Sequence, residues 1–207
     1  MILAFASEYS FLSSSTLQQD IDAEQIVEGY AREDEYYTHL LNRIDIYVLP
    51  VANPDGYEHS INRDRLWRRT RSGPYCDCIV DIYAYVGDPC KHTCCRGVDL
   101  NRNFGYKYGL DSGSSAEPCR DDYRGPKAWS EIEARNIRDF LEPRAAVIDA
   151  YITFHSYGQY WFYPYGFARN MYPPDTNDLQ RVAYDSAAAL ERLYNTRYHV
   201  GSSSELI

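Results

Sequence analysis

Three observations on this 207-residue chain predict an α/β fold. Residues 44–51 (IDIYVLPV) and 146–154 (AVIDAYITF) are rich in β-branched and aromatic types, the composition and length of buried strands. Stretches within 16–32, 130–142 and 179–194 repeat apolar residues at spacings near 3 and 4, the period of an amphipathic helix. The two kinds of segment alternate along the chain, which is how helices come to flank a sheet. The length suits one domain or two small ones.

Taken in order, Met1–Ala6 is apolar but lacks a basic lead-in and breaks at Ser7 and Glu8, so it does not read as a signal peptide. After a polar Ser13–Ser15 loop, Leu17, Ile21, Ile26, Val27, Tyr30 and Ala31 mark a helix over 16–32. The 44–51 strand is interrupted at Pro50 and ends in Asn53-Pro54-Asp55-Gly56, a strong turn signal. From Arg71 to Gly125, Gly, Cys, Asp and Tyr dominate with no sustained period, which predicts a long loop tied by cysteines. Ser130 and Glu133 have the spacing of a capping box, and Ile137, Phe140 and Leu141 continue a helix that Pro143 ends. The 146–154 strand carries His155 at its C-terminal lip. Tyr160–Tyr165 is strand-like up to Pro164, and Leu179, Val182, Ala183, Leu190, Leu193 and Tyr194 mark a long helix.

Composition narrows the function classes. Lys and Arg number 21 against 30 Asp and Glu, a net charge of −9 that gives neither nucleic acid nor an anionic membrane electrostatic support. Against that background Arg63, Arg65, Arg68, Arg69 and Arg71 crowd into one short run around Trp67. Most of such a run is a solvated face. A guanidinium fixed beside Trp67 in a partly dry setting would be useful to a developing oxyanion. No apolar run reaches the length of a membrane-spanning helix. Six cysteines, Cys76, Cys78, Cys90, Cys94, Cys95 and Cys119, point to an oxidising compartment, although no N-glycosylation sequon adds to that. Cys76, Cys78, Cys90, His92, Cys94 and Cys95 could alternatively hold a structural tetrahedral zinc, but their spacing fits no common finger and local disulfides explain the even count more simply.

Ligands of open α/β sheets bind beyond the carboxyl ends of strands, which directs attention to the NPDG segment, the VDLNRNF stretch and His155. His155 reads as a metal ligand, a general base or a hydrogen-bonded structural residue. Asn101 and Arg102 pair an amide with a guanidinium, suited to a carboxylate, or to a salt bridge with Asp99.

These residues carry a resemblance. NPDGY, NRDRLWRRTRS, GVDLNRNF, a cysteine before Tyr-Arg-Gly, SEIEARNI and TFHSYGQYWFYPYG are similar, in that order and at similar spacing, to the carboxypeptidase A/B family of zinc metallocarboxypeptidases. The likeness covers roughly residues 24–207, leaving 1–23 as an atypical N-terminal segment before a partial catalytic domain. It implies a central, mixed but mostly parallel, twisted sheet flanked by helices and incomplete at both ends. It implies His155 as the third ligand of a catalytic zinc, Arg68 as the arginine that polarises the scissile carbonyl, and Asn101 with Arg102 as the clamp on the substrate's terminal carboxylate. Tyr157 would line substrate subsites, Phe162 and Gly166 would face the side-chain pocket, and Cys95 would be bonded to Cys119. The implied partners are peptide or protein C-termini met by an extracellular monomer, with no nucleic acid and no membrane.

The chain departs from the family at the metal. Of the five histidines none has Glu three residues on: His39 leads to Asn42, His59 to Asn62, His92 to Cys95, His155 to Gly158 and His199 to Ser202. The sequence ends at Ile207, before the family's mobile tyrosine and catalytic glutamate. A catalytic zinc takes three protein ligands and a water, so this chain by itself is expected not to hydrolyse peptides, while the carboxylate clamp would survive as a binding module.

Overall fold

A computed structural model describes residues 2–6, 24–80, 90–110, 113–155 and 157–206. The chain divides into two compact units, the first of residues 1–109 and 114–156, the second of 110–113 and 157–207.

The first unit is organised by a three-stranded sheet of β1 (Ile2–Ala6), β2 (Ile46–Leu49) and β5 (Ala150–Phe154), in the order β2-β1-β5. All pairings are parallel, with Ile2 opposite Ile46 and Ala150, and Ala6 opposite Phe154. The apolar run Ile2–Ala6 is thus the middle strand of this sheet. Helix α1 is described over 24–31, and residues 16–23 of the expected helix lie outside the described residues. Glu33, at φ 58, turns the chain into a short helix that periodicity did not announce, α2 (Glu35–Leu41). Asp34 starts it by accepting from the Tyr36 and Tyr37 amides at 2.9 and 3.2 Å.

β2 stops at Leu49, as Pro50 requires, but the following segment is not the expected turn. Asn53 caps α3 (Pro54–Asn62) by accepting from the Gly56 amide at 3.0 Å, and Pro54 fills the first helical position, where a missing N–H costs nothing. The expected long loop is also corrected: β3 (Tyr75–Val80) and β4 (Cys90–Cys95) form an antiparallel hairpin with Cys76 opposite Cys94. Disulfides join Cys76 to Cys94 and Cys95 to Cys119, which removes Cys76, Cys94 and Cys95 from any structural zinc site. The side chains of Cys78, Cys90 and His92 lie outside the described residues.

Helix α4 (Ile132–Leu141) has Glu131, not Ser130, at its N-cap, and no side chain caps it. Instead of a capping box, the Ser130 hydroxyl donates to the Glu131 carboxylate at 2.9 Å. Pro143 sits inside a 3-10 turn over Glu142–Arg144, so β5 begins at Ala150 rather than 146. Ala52, Leu100, Ala134 and Ile137 form a buried core, with Leu49, Phe104, Trp129, Phe140, Leu141 and Ile148 packed against it. This core backs the 3-10 turn Leu100–Arg102, which follows β4.

The second unit is a β-helix-β arrangement. β6 (Tyr160–Tyr163) pairs in parallel with β7 (His199–Ser202), and α5 (Thr176–Tyr194) connects them, its Ala183 and Ala187 buried. Gln180 on α5 donates to the Tyr163 hydroxyl at 2.8 Å, and Asn195 ends the helix in the left-handed conformation at φ 50. A last helical turn, α6 (Ser203–Leu206), follows β7. No helix of the described residues is long and apolar enough to cross a membrane.

Candidate carboxylate and metal site

The site of the first unit is built on Asp99. Its carboxylate is 0% exposed, and its Oδ1 accepts from the Asn101 amide at 3.0 Å, which folds Leu100–Arg102 into the 3-10 turn. Its Oδ2 accepts from both Nε and Nη2 of Arg68 at 2.8 Å. Arg102 brings its own Nε to 3.9 Å from the same oxygen. Two guanidinium groups from segments some thirty residues apart therefore converge on one buried anion.

Arg68 is 9% exposed, and what fixes it is Asp99. The guanidinium groups over the Trp67 ring are those of Arg69 and Arg71, at 5.0 and 4.4 Å, so arginines of the run do sit beside Trp67, while Arg68 is held by Asp99 instead. Arg69 is structural: it donates to the Pro118 carbonyl at 2.8 Å and the Arg120 carbonyl at 3.3 Å, tying down the loop around Cys119. Asn101 is exposed, and Arg102 is half-buried with Nη1 donating to the Asn101 carbonyl at 3.2 Å. Beside Asn101 lies a cavity of about 410 Å³ walled by Leu100, Phe104, Ile137, Leu141 and Tyr151, with Thr153 adding a hydroxyl. Burial pushes the Tyr151 phenol up to about 12.

His155 follows β5, its Nε2 at 3.3 Å from the Thr153 hydroxyl. The protein packed around its ring, and then the charges of Arg68 and Arg102, push its pKa down to about 4. The imidazole is neutral at pH 7, the form that ligates metals, but the same two guanidinium groups oppose a dication beside it. Among the described residues no three His, Cys, Asp or Glu side chains stand where they could hold a metal ion. His39 is hydrogen-bonded to Arg43 at 3.2 Å, and His59 sits edge-on against Trp67 at 4.8 Å. The described residues therefore do not fit a catalytic zinc: they offer His155 and two cations.

Tyr157, Phe162 and Gly166 belong to the second unit. Tyr157 is 84% exposed. Phe162 is 42% exposed and stacks on Tyr160 with ring centres 5.3 Å apart. A Cβ on Gly166 would lie 2.2 Å from the Ser203 hydroxyl oxygen, which accounts for glycine there.

Sequence reasoning missed Glu131 and placed Asp99 against Arg102 alone. Glu131 is 2% exposed and accepts from Thr70 at 2.6 Å, Ser130 at 2.9 Å and Tyr75 at 3.2 Å, and from Ser72. Its hydroxyl partners are scattered between positions 70 and 130, a pattern without a linear signal. Gly97, at φ 85, permits this packing, because a Cβ there would fall 2.1 Å from the Thr70 carbonyl oxygen.

Comparison with known proteins gives the family. A family model described as zinc carboxypeptidase matches residues 12–207. A carboxypeptidase B of Astacus astacus is 39% identical over 182 residues, covering 88% of this chain and 54% of its own. A carboxypeptidase A2 of Rattus norvegicus is 40% identical over 185 residues, covering 89% and 40%. Among solved structures, bovine thrombin-activatable fibrinolysis inhibitor in complex with tick carboxypeptidase inhibitor superposes with a TM-score of 0.81 at 30% identity, over 100% of this chain and 62% of that one. Carboxypeptidase A from Helicoverpa armigera gives 0.75 at 30% identity, over 100% and 46%. The chain thus spans about half the length of the curated relatives it matches.

Proposed function

The chain belongs to the zinc carboxypeptidase family, and on that premise we propose that it carries the carboxylate-recognition part of a metallocarboxypeptidase, an enzyme that cleaves the C-terminal peptide bond of peptides or proteins. The observation that carries this reading is the convergence of Arg68 and Arg102 on buried Asp99, next to Asn101 and within electrostatic reach of His155. An exopeptidase must recognise a free α-carboxylate, which an arginine does through parallel hydrogen bonds, and must place the adjacent carbonyl where an electrophile meets it. Arg102 and Asn101 are assigned the first task and Arg68 the second. Tyr157, Phe162 and Gly166 are assigned, by the family likeness, to the side chain of the residue released. The two disulfides suit an extracellular, oxidising setting.

The family's metal is zinc, which supplies a Lewis acid and an activated water in such enzymes. His155 is the residue of this chain proposed to face it, and no hydrolytic step is derived from the donors described. A second reading is favoured by the two cations beside His155: this chain binds C-terminal carboxylates without cleaving them. Release of C-terminal residues from unblocked peptides, with zinc added, separates the two. No release is expected from this chain alone, whereas turnover lost on His155→Ala would establish it as a hydrolase. Binding of acetylglycylphenylalanine in preference to its C-terminal amide tests the recognition common to both; equal affinity for the two would remove the clamp from the proposal.

A further inference from the structure

We propose that Glu131 is a positioning residue for the carboxylate clamp, a role that rests on the clamp reading above. Glu131 is buried, yet among the described residues no cation pairs with it. Hydroxyl groups fill its shell instead. One oxygen, Oε2, accepts from Thr70 at 2.6 Å and from Ser72; the other, Oε1, accepts from Ser130 at 2.9 Å and Tyr75 at 3.2 Å. Its backbone N–H donates to the Asn103 side-chain oxygen at 3.0 Å.

These contacts fall on the two segments that bear Arg68 and the clamp. Thr70 lies two residues after Arg68, and Asn103 directly follows Arg102. Thr70 also joins the segments itself: its amide donates to the Val98 carbonyl at 2.8 Å, and its Oγ1 accepts from the Val98 amide at 3.0 Å, one residue before Asp99. Thr70 Oγ1 takes that amide while donating to Glu131 at 2.6 Å, with Ser72 Oγ also 3.0 Å away, so its side chain is held from both sides. Asn103 is held from the other side, its Nδ2 donating to the Arg124 carbonyl at 2.9 Å, the Lys127 carbonyl at 3.1 Å and Ser130 Oγ at 2.8 Å. The separation between Arg68 and the Asp99–Arg102 turn is thereby set by one residue at the start of α4, without touching the ligand.

A glutamine can replace the carboxylate in this shell. Its carbonyl oxygen would take the Thr70 and Ser72 protons, and its amide would donate to the Tyr75 and Ser130 oxygens, which can turn to accept. A methionine of similar length cannot, and would remove the acceptor shared by Thr70, Ser72, Tyr75 and Ser130, leaving the first three only one another. The test follows the Arg68 Nε–H, assigned by its loss in Arg68→Lys, through its hydrogen exchange and NMR shift, alongside binding of acetylglycylphenylalanine and its amide.

In Glu131→Met, exchange at Arg68 Nε is expected to quicken at least about tenfold and the preference for the free acid to fall about tenfold, whereas Glu131→Gln stays within about twofold of the parent in both. A folded Glu131→Met protein, by near-ultraviolet circular dichroism, with unchanged Arg68 exchange overturns the proposal, as does failure of glutamine to restore it. Should the methionine variant not fold, Ser72→Ala, which removes one hydroxyl from the Glu131 shell and leaves the Thr70–Val98 bonds in place, carries the same direction of effect, and unchanged Arg68 exchange in it is the same refutation. If the parent does not prefer the acid to the amide, the functional reading fails, while the exchange comparison still decides whether Glu131 positions Arg68.

Discussion

Around Asp99 a carboxylate and two guanidinium groups come together, Asp99 and Arg68 buried and Arg102 half-buried, whereas at the lip of β5 the exposed His155 meets a threonine hydroxyl at 3.3 Å. The two lie in one unit and face one ligand position by the proposed reading, yet they are finished to different degrees. The anion-recognising half draws its geometry from the interior: Leu100 is in the core, Asp99 caps the turn, and Glu131 holds both flanking segments. The half that would meet a metal offers, among the described residues, His155 at the end of β5 beside Thr153. Carboxylate recognition can therefore be tested on this chain as it stands, and removing parts from the two halves should have very unequal effects.

The largest effect is expected at Asp99. Asp99→Ala leaves the Arg68 guanidinium buried without its anion, and breaking one side of a buried pair costs about 3–5 kcal/mol. Urea unfolding of the variant should show that loss, and a loss under about 1 kcal/mol would mean that Arg68 reaches water and that the interior does not define this half. Arg68→Met combined with Asp99→Leu should recover most of the deficit, since it removes both charges.

Arg102→Met sharpens the contrast within the clamp itself. Its side chain is half-buried and stands 3.9 Å from Asp99, so stability should change by less than about 0.5 kcal/mol. Binding should respond instead: loss of a charge-assisted contact predicts about 10-fold to 100-fold weaker preference for the acid over the amide, measured by calorimetry. If the acid preference survives, Arg102 is a surface residue and the clamp lies elsewhere.

How much of this was legible in the sequence depended on how far apart the partners were. β2, α4, α5 and the lip position of His155 follow from local periodicity and composition. The Asn53-Pro54 pair was ambiguous because an N-cap followed by proline and a turn use the same residues for the same reason, an orphan amide satisfied by a short side chain. The β3–β4 hairpin was illegible: Asp77, Lys91 and cysteines have little strand preference, and a cross-strand disulfide between Cys76 and Cys94 supports the pairing. At the site, the residue types of the clamp were visible, but that Asp99 serves Arg68 first depends on a contact 31 residues away. Glu131 stands in the SEIEARNI stretch, but its role was illegible there, since its partners are neutral hydroxyl groups up to 61 positions distant.

The His155 side supplies a smaller, pH-dependent expectation. Because the ring titrates at about 4 in the folded chain and near 6.5 when unfolded, the unfolded state takes up the proton first as pH falls. The neutral ring's contribution to stability is thus complete above about pH 6.5 and declines through the window down to about 4, below which both states are charged. Proton NMR of the imidazole should place its midpoint well below that of an ordinary histidine, and Arg102→Met should raise it by removing one of the two opposing charges. A midpoint near 6.5 in the parent protein would show that the ring is solvated and that neither guanidinium faces it.

The smallest effect belongs to Gly166. The Cβ of Gly166→Ala would meet the Ser203 hydroxyl oxygen at 2.2 Å, but the Ser203 Cβ remains 3.6 Å away, so the obstacle is the movable end of a short side chain. No left-handed backbone is required at this position, and the cost reduces to turning one hydroxyl out of its rotamer, about 0.5–1.5 kcal/mol. Ser203→Ala in the same chain should cancel it. A Gly166→Ala penalty above about 2 kcal/mol, or one that Ser203→Ala leaves untouched, would show that backbone rather than hydroxyl limits the space. In that event the second unit would share the rigidity found around Asp99, and tolerance would not separate the residues assigned to side-chain recognition from those assigned to the carboxylate.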